Sequence, residues 1–519
     1  MSCPLLTLSA ELQYLIFQHL KSHEDPEEPY VRGSVTPRRR DRSLADAVFD
    51  RDLRNLSLTC SFYYASLIPH TFKKLVLQNN EASASSMLRC MANTTRNYIQ
   101  FTKELYFTDT KSMALAMEKD HLAGWQKSPD KDSKDDISIP ELCRLPTSAA
   151  EILSNLSRFP NLDRLLIHWR FHDSDWYIEL YTIENHLDYN YDIVELEEKD
   201  PWRALMRDVY NALSKNVADI NTSSNALSSS PSSSPQAPIL KSLEINNIPM
   251  NPVSTYLSPT FHNFLSSIGS FKLDLVTSDS VGDYEISTFN QYHEFTYVLD
   301  EYFFNHLSSA TSLHITAWGG PLGGDDSGNC GRLSLPSTRQ LPVLKRLVVG
   351  NCFTAPTLID FLAAHARSLE RVEFVSCFSD AQEGNTWCKL FEALARARPE
   401  RLVEFCVEPA RVRFRDHSWD RTVERDSEEA RCEELLGGDE DEREGDCVGG
   451  GGGGVAGRRG RRAFSYAYVD DKYGFLSEIP YKNRAMFLKG EDQRAYDALM
   501  EIVERNRKGL MEAESGISV

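Results

Sequence analysis

The residues that could bind a metal or move a proton are few and poorly spaced. His168 and His172 stand four apart around Trp169. On a helix that spacing would put two imidazoles on one face, the beginning of a zinc site. A strand pattern runs up to them instead, and no carboxylate stands at a ligand spacing, so a surface pair is expected. Asp173 and Asp175 beside Trp176 read as a charged turn rather than a catalytic pair of carboxylates. The glycine-rich stretch from Trp318 to Arg332 lacks G-x-x-x-x-G-K-S/T and a helix to follow it, so it reads as a loop and not a phosphate cradle. There is no G-x-S-x-G elbow. The 11 cysteines are scattered without a C-x-x-C, which points to free thiols in a reducing compartment. A thiol needs a nearby base and exposure to act as a nucleophile. No catalytic residue, cofactor or metal is implied, and a non-enzymatic role is expected.

The elements that would position these residues follow a repeating spacing. Its unit is L-x-x-L-x-L-x-x-C. The clearest copies are LKRLVVGNC (Leu344, Leu347, Val349, Cys352) and LERVEFVSC (Leu369, Val372, Phe374, Cys377). LVEFCVEPA repeats the offsets at Leu402, Phe405 and Val407. Upstream copies fall at Leu162, Leu165 and Ile167, at Leu240, Leu243, Ile245 and Ile248, and at Leu313 and Ile315. Weaker ones fall at Leu273 and Leu275 and at Leu105 and Phe107. The inner L-x-L pair alternates, so both side chains point to one face of a short strand. Cysteine suits the inner bend because it is small and apolar. Helical stretches lie between copies: SAAEILSNLSRFP before Leu162, one with Leu358, Phe361, Leu362 and His365 on a single side, and one with Leu390, Phe391 and Leu394. The spacing between copies is uneven, Leu347 to Val372 being shorter than Val372 to Phe405. A strand plus a helix per unit, stacked side by side, resembles the irregular leucine-rich repeats found behind F-boxes in fungi.

A second pattern lies at the amino end, in two pieces. In Leu5 to Leu20, Leu8, Leu12, Leu15, Ile16 and Leu20 form a helical stripe with Ser9 placed to cap it. In Asp52 to Leu77, Leu53, Leu56, Leu58 and Cys60 lead to Phe62, Tyr63 and Tyr64, and Pro69 ends the helix before Phe72, Leu75 and Leu77. Short helices of this kind cannot bury their stripes alone. The pair resembles an F-box in its fungal form. Leu8, Glu11, Leu12, Ile16 and Leu20 match the first half of that pattern, and Leu53, Leu56, Cys60, Phe62, Pro69, Phe72 and Leu75 the second. Ser9 stands where the family usually has proline, and residues 21–51 form a long insertion. The resemblance implies an adaptor-binding face of Leu8, Leu12, Ile16, Leu53, Leu56 and Leu58. Its partners would be a Skp-type adaptor and, through it, a cullin. The repeats would hold an unknown protein substrate for ubiquitin-dependent degradation. Trp169, Trp176 and Trp318, where loops gather, are candidate substrate contacts, since aromatics are enriched in interface hot spots. The competing reading is a leucine-rich scaffold with no link to ubiquitin.

The expected fold is therefore α/β. Residues 1–77 would be F-box-like helices with a disordered insert at 21–51. Residues 100–415 would be a leucine-rich-repeat solenoid with a disordered Ser/Pro-rich insert at 221–238. Residues 416–462 would be a disordered linker, acidic and then Gly/Arg-rich, and 463–508 a strand–helix cap with Gly509 stopping its helix. The chain has 519 residues and a formal charge of -19. Such acidity disfavours nucleic acid, whose phosphates demand cations. No apolar run reaches membrane-spanning length. A cytoplasmic or nuclear location is expected.

Overall fold

The computed structural model describes residues 61–92, 97–109, 144–169, 192–225, 240–276, 290–318, 322–323, 333–380, 385–408, 412, 432, 462–470 and 476–515. In chain order the elements are α1 (Ser61–Thr71), β1 (Lys74–Gln78), α2 (Glu81–Ala92), β2 (Glu104–Thr108), α3 (Thr147–Leu153), β3 (Arg164–His168), α4 (Ile193–Lys199) and α5 (Pro201–Asn225). Next come β4 (Leu240–Ile248), α6 (Pro259–Ser266), β5 (Ile268–Val276), α7 (Asn290–Tyr297), α8 (Leu299–Tyr302), β6 (Ser312–Trp318), β7 (Arg346–Gly350) and α9 (Pro356–His365). The chain closes with β8 (Arg371–Val375), β9 (Ser379–Asp380), α10 (Trp387–Arg396), β10 (Glu404–Glu408), β11 (Tyr466–Val469), β12 (Leu476–Glu478), α11 (Pro480–Lys489) and α12 (Glu491–Ser515).

Nine strands form one sheet in the order β1-β2-β3-β4-β5-β6-β7-β8-β10, every pair parallel. The L-x-L pairs stack in register across it. One line runs Leu75, Leu105, Leu165, Leu243, Phe271, Leu313, Leu347, Val372 and Phe405. A second runs Leu77, Phe107, Ile167, Ile245, Leu273, Ile315, Val349, Phe374 and Val407, all buried. Helices α3, α6, α9 and α10 press their apolar sides onto these lines, and all belong to one continuous core. On β5 the aligned pair is Phe271 and Leu273 rather than Leu273 and Leu275. A two-residue slip keeps the same face, so alternation alone could not locate it.

The strand ends are shaped by small polar residues. Asn247, Asn351 and Ser376 have φ of 56°, 50° and 51°. Asparagine tolerates this left-handed region and can bond nearby backbone. Asn247 Nδ2 donates to Trp169 O at 3.3 Å and Asn351 Nδ2 to Ala317 O at 3.2 Å, each tying one strand end to the previous one. Cys352 and Cys377 then turn inward and are buried.

Several expected boundaries change. Pro69 lies inside α1 instead of ending it. Proline removes only its own N–H, and one turn further on Phe72 N still donates to Ile68 O at 3.0 Å. Residues 74–77 are the first strand of the sheet, so it begins before residue 100. Residues 221–225, expected within a disordered insert, finish helix α5. Within the expected 416–462 linker, Cys432 is buried against Phe487, and Arg462 Nη1 donates to Val407 O. The remaining inserts lie outside the described residues.

The carboxyl-terminal segment closes the last strand. β11 pairs with β9 in parallel and with β12 antiparallel. Tyr496, Leu499 and Val503 of α12 enter the core beside Phe391, Phe405 and Phe464. Asn506 Nδ2 donates to Pro399 O and Leu402 O, and Arg507 Nε to Val403 O at 3.2 Å. Gly509 does not stop this helix, which runs on to Ser515. The glycine that turns the chain is Gly490, at φ 65° between α11 and α12.

Candidate functional site

A parallel sheet is usually covered on both faces. Here the residues that alternate with the core-facing ones along each strand are, for the most part, partly or fully exposed. They form two lines on the face opposite the core. One line is Lys74, Glu104, Arg164, Ser242, Ser270, Ser312, Arg346, Arg371 and Glu404. The other is Val76, Tyr106, Leu166, Glu244, Lys272, His314, Val348, Glu373 and Cys406, of which Val348 is buried.

Neighbouring strands pair charges across this face. Arg164 Nη2 meets Glu244 at 2.6 Å, Arg346 meets Glu373 at 3.5 Å and Arg371 meets Glu404 at 3.3 Å. The Lys74 ammonium lies 5.4 Å from the Tyr106 ring centre. Such cross-strand pairs contribute only about 0.2–1 kcal/mol each. They hold the side chains in place and leave charges of both signs on the surface. Further along the strands, Thr316 Oγ1 donates to Asp274 at 2.9 Å. Gly350 is required there, because a Cβ would meet the Thr316 methyl at 2.5 Å. At the centre of the face, burial and then the nearby Lys272 and Arg346 cations pull His314 down to about 4, so its ring is neutral at pH 7.

The expected site residues are distributed differently. Leu8, Leu12, Ile16, Leu53, Leu56, Leu58 and Trp176 lie outside the described residues. Trp169 is no surface contact: it is fully buried, and its Nε1 donates to the Tyr210 hydroxyl at 3.3 Å. The reason is parity. Trp169 continues the inward positions Leu165 and Ile167, and its ring packs edge-on to Phe107. Trp318 is the last residue of β6, paired with Val276. His168 ends β3 with its ring 5.9 Å from Tyr106, outside any helix. Cys60 also lies outside the described residues. The polar lines themselves escape a reading that follows the leucines. Their signal is clearest in the residue just before the inner apolar pair of each copy, which is charged or serine throughout.

Nothing described favours thiolate chemistry. Burial raises Cys377 to about 12 and Cys388 to about 11, and lifts Cys352 and Cys90 above the usual thiol range. Among the described residues no group of three or more His, Cys, Asp or Glu side chains could hold a metal, and no helix is long and apolar enough to cross a membrane. What this face can do is present a broad, ordered, charged surface to another macromolecule. Comparison with family models, with curated proteins and with solved structures finds no match to this chain.

Proposed function

We propose that this chain is the substrate-recognition subunit of a cullin-RING ubiquitin ligase of the SCF type. Its amino-terminal F-box-like segment would dock a Skp-type adaptor through Leu8, Leu12, Ile16, Leu53, Leu56 and Leu58. The nine-stranded sheet, read as an irregular leucine-rich-repeat solenoid, would hold the protein to be modified. The observation that carries this reading is the sheet itself: nine parallel strands that follow one another in chain order, with β9 set aside, helices on one side and a largely accessible face with many charged side chains on the other. A parallel sheet with one accessible face suits a large partner better than a small ligand. The receptor needs no catalytic group in this role. It supplies proximity, raising the effective concentration of target beside the ligase.

The test is affinity capture with the Skp-type adaptor, comparing wild type with a Leu12→Asp, Ile16→Asp double variant. Wild type should retain the adaptor and the double variant should lose it, while circular dichroism of the sheet domain stays the same. An absence of adaptor with the wild-type chain would leave a leucine-rich scaffold as the reading.

A further inference from the structure

The middle of this face carries positive charge on β5 and β7, with a neutral histidine on β6 between them. Lys272 on β5 pairs with His314 on β6, and Arg346 on β7 pairs with Ser312 two residues before that histidine. Ser270 and Ser312 stand beside them, bringing hydroxyls and little bulk. The flanking strands carry carboxylates, Glu244 paired with Lys272 on one side and Glu373 beyond Val348 on the other.

Building on the reading of this face as the target-holding surface, we propose that Lys272, His314 and Arg346 receive a short acidic segment of the partner protein, its carboxylates lying between the ammonium and the guanidinium. Charge complementarity selects this occupant. The strand register sets Lys272 directly beside His314 and Arg346 diagonally across from it, so an incoming anion would sit between the two cations; burial depresses the His314 ring most, and the two cations add to it. Arg346 is 51% exposed and shares one 3.5 Å contact with Glu373, a pair weak enough to yield a guanidinium N–H to a second carboxylate. The segment must be short. Three strands span about 10 Å, the reach of roughly three extended residues. Beyond them Glu244 and Glu373 repel further negative charge. A nucleic acid, a long polyanion, meets these carboxylates and a chain of net charge -19.

The experiment uses the full chain and a fluorescein-labelled peptide with four consecutive glutamates between glycines, followed by anisotropy at low salt. A matched glutamine peptide and a single-stranded oligonucleotide are the comparisons. Wild type should prefer the glutamate peptide over the glutamine one by about tenfold, and added salt should weaken it. A Lys272→Gln, Arg346→Gln variant with unchanged circular dichroism should lose the preference. The His314 ring, followed by NMR, should titrate at higher pH when the glutamate peptide is bound. Equal binding of both peptides, undiminished binding by the variant, or tighter binding of the oligonucleotide would overturn the inference. Adaptor capture is read separately. A chain that retains the adaptor but ignores the peptide refutes this inference alone, and one that binds the peptide but never the adaptor refutes only the ligase reading.

Discussion

Asp492 is a residue whose shifted chemistry ties stability to pH in the mildly acidic range. Burial pushes its carboxyl up to about 6, against hydrogen bonds from the Tyr466 hydroxyl at 2.8 Å and the Cys388 amide at 2.9 Å. The folded group holds its proton more tightly than the unfolded one, whose value is 3.8. Stability from this residue is therefore full below pH 3.8 and lost as pH rises through 6. The difference is on the order of 3 kcal/mol. Denaturant unfolding of wild type and Asp492→Asn at pH 4 and pH 7 should show the gap between them moving by that order. Parallel profiles would contradict it. The sequence does not reveal this site because Cys388 and Asp492 are about a hundred residues apart. Trp169 is the opposite case: counting two residues on from Ile167 places it inside, and the parity is there to be read.

At the scale of elements, the helices with long apolar stripes are legible. The inward residues expected for α9 and α10 are buried, with Trp387 added to the second group. Helix ends are not legible from residue type alone. Gly490 has positive φ and makes a turn; a Cβ added at Gly509 would meet nothing within 4 Å, and that glycine sits in continuing helix. Pro69 falls late enough in α1 that only one backbone bond is lost. Docking of α12 rests partly on Asn506, whose amide serves two carbonyls of the turn before β10. Asn506→Ala leaves those acceptors without this donor and should cost about 1–3 kcal/mol in thermal or denaturant unfolding. A variant as stable as wild type would show that the apolar face of α12 suffices.

At the scale of the whole molecule, the parallel sheet in chain order is legible because one spacing recurs through its copies. What the pattern does not convey is use, since a line of leucines describes the inside and partners meet the outside. In such an array each strand contacts only its neighbours, so protection should fall from the middle towards the start. Hydrogen exchange should find the amides of β4 to β7 slowest and those of β1 clearly faster. Equal protection across all nine strands would argue instead for a single cooperative body.

The donors from α12 and Arg462 that occupy the Val403 and Val407 carbonyls bear on how copies of this protein meet one another. A ribbon of parallel strands can lengthen without limit if the last strand of one copy accepts the first strand of the next. Here two acceptors along the final edge, the Val403 and Val407 carbonyls, already have donors from the same chain. Occupied acceptors at this edge work against the addition of a further strand there.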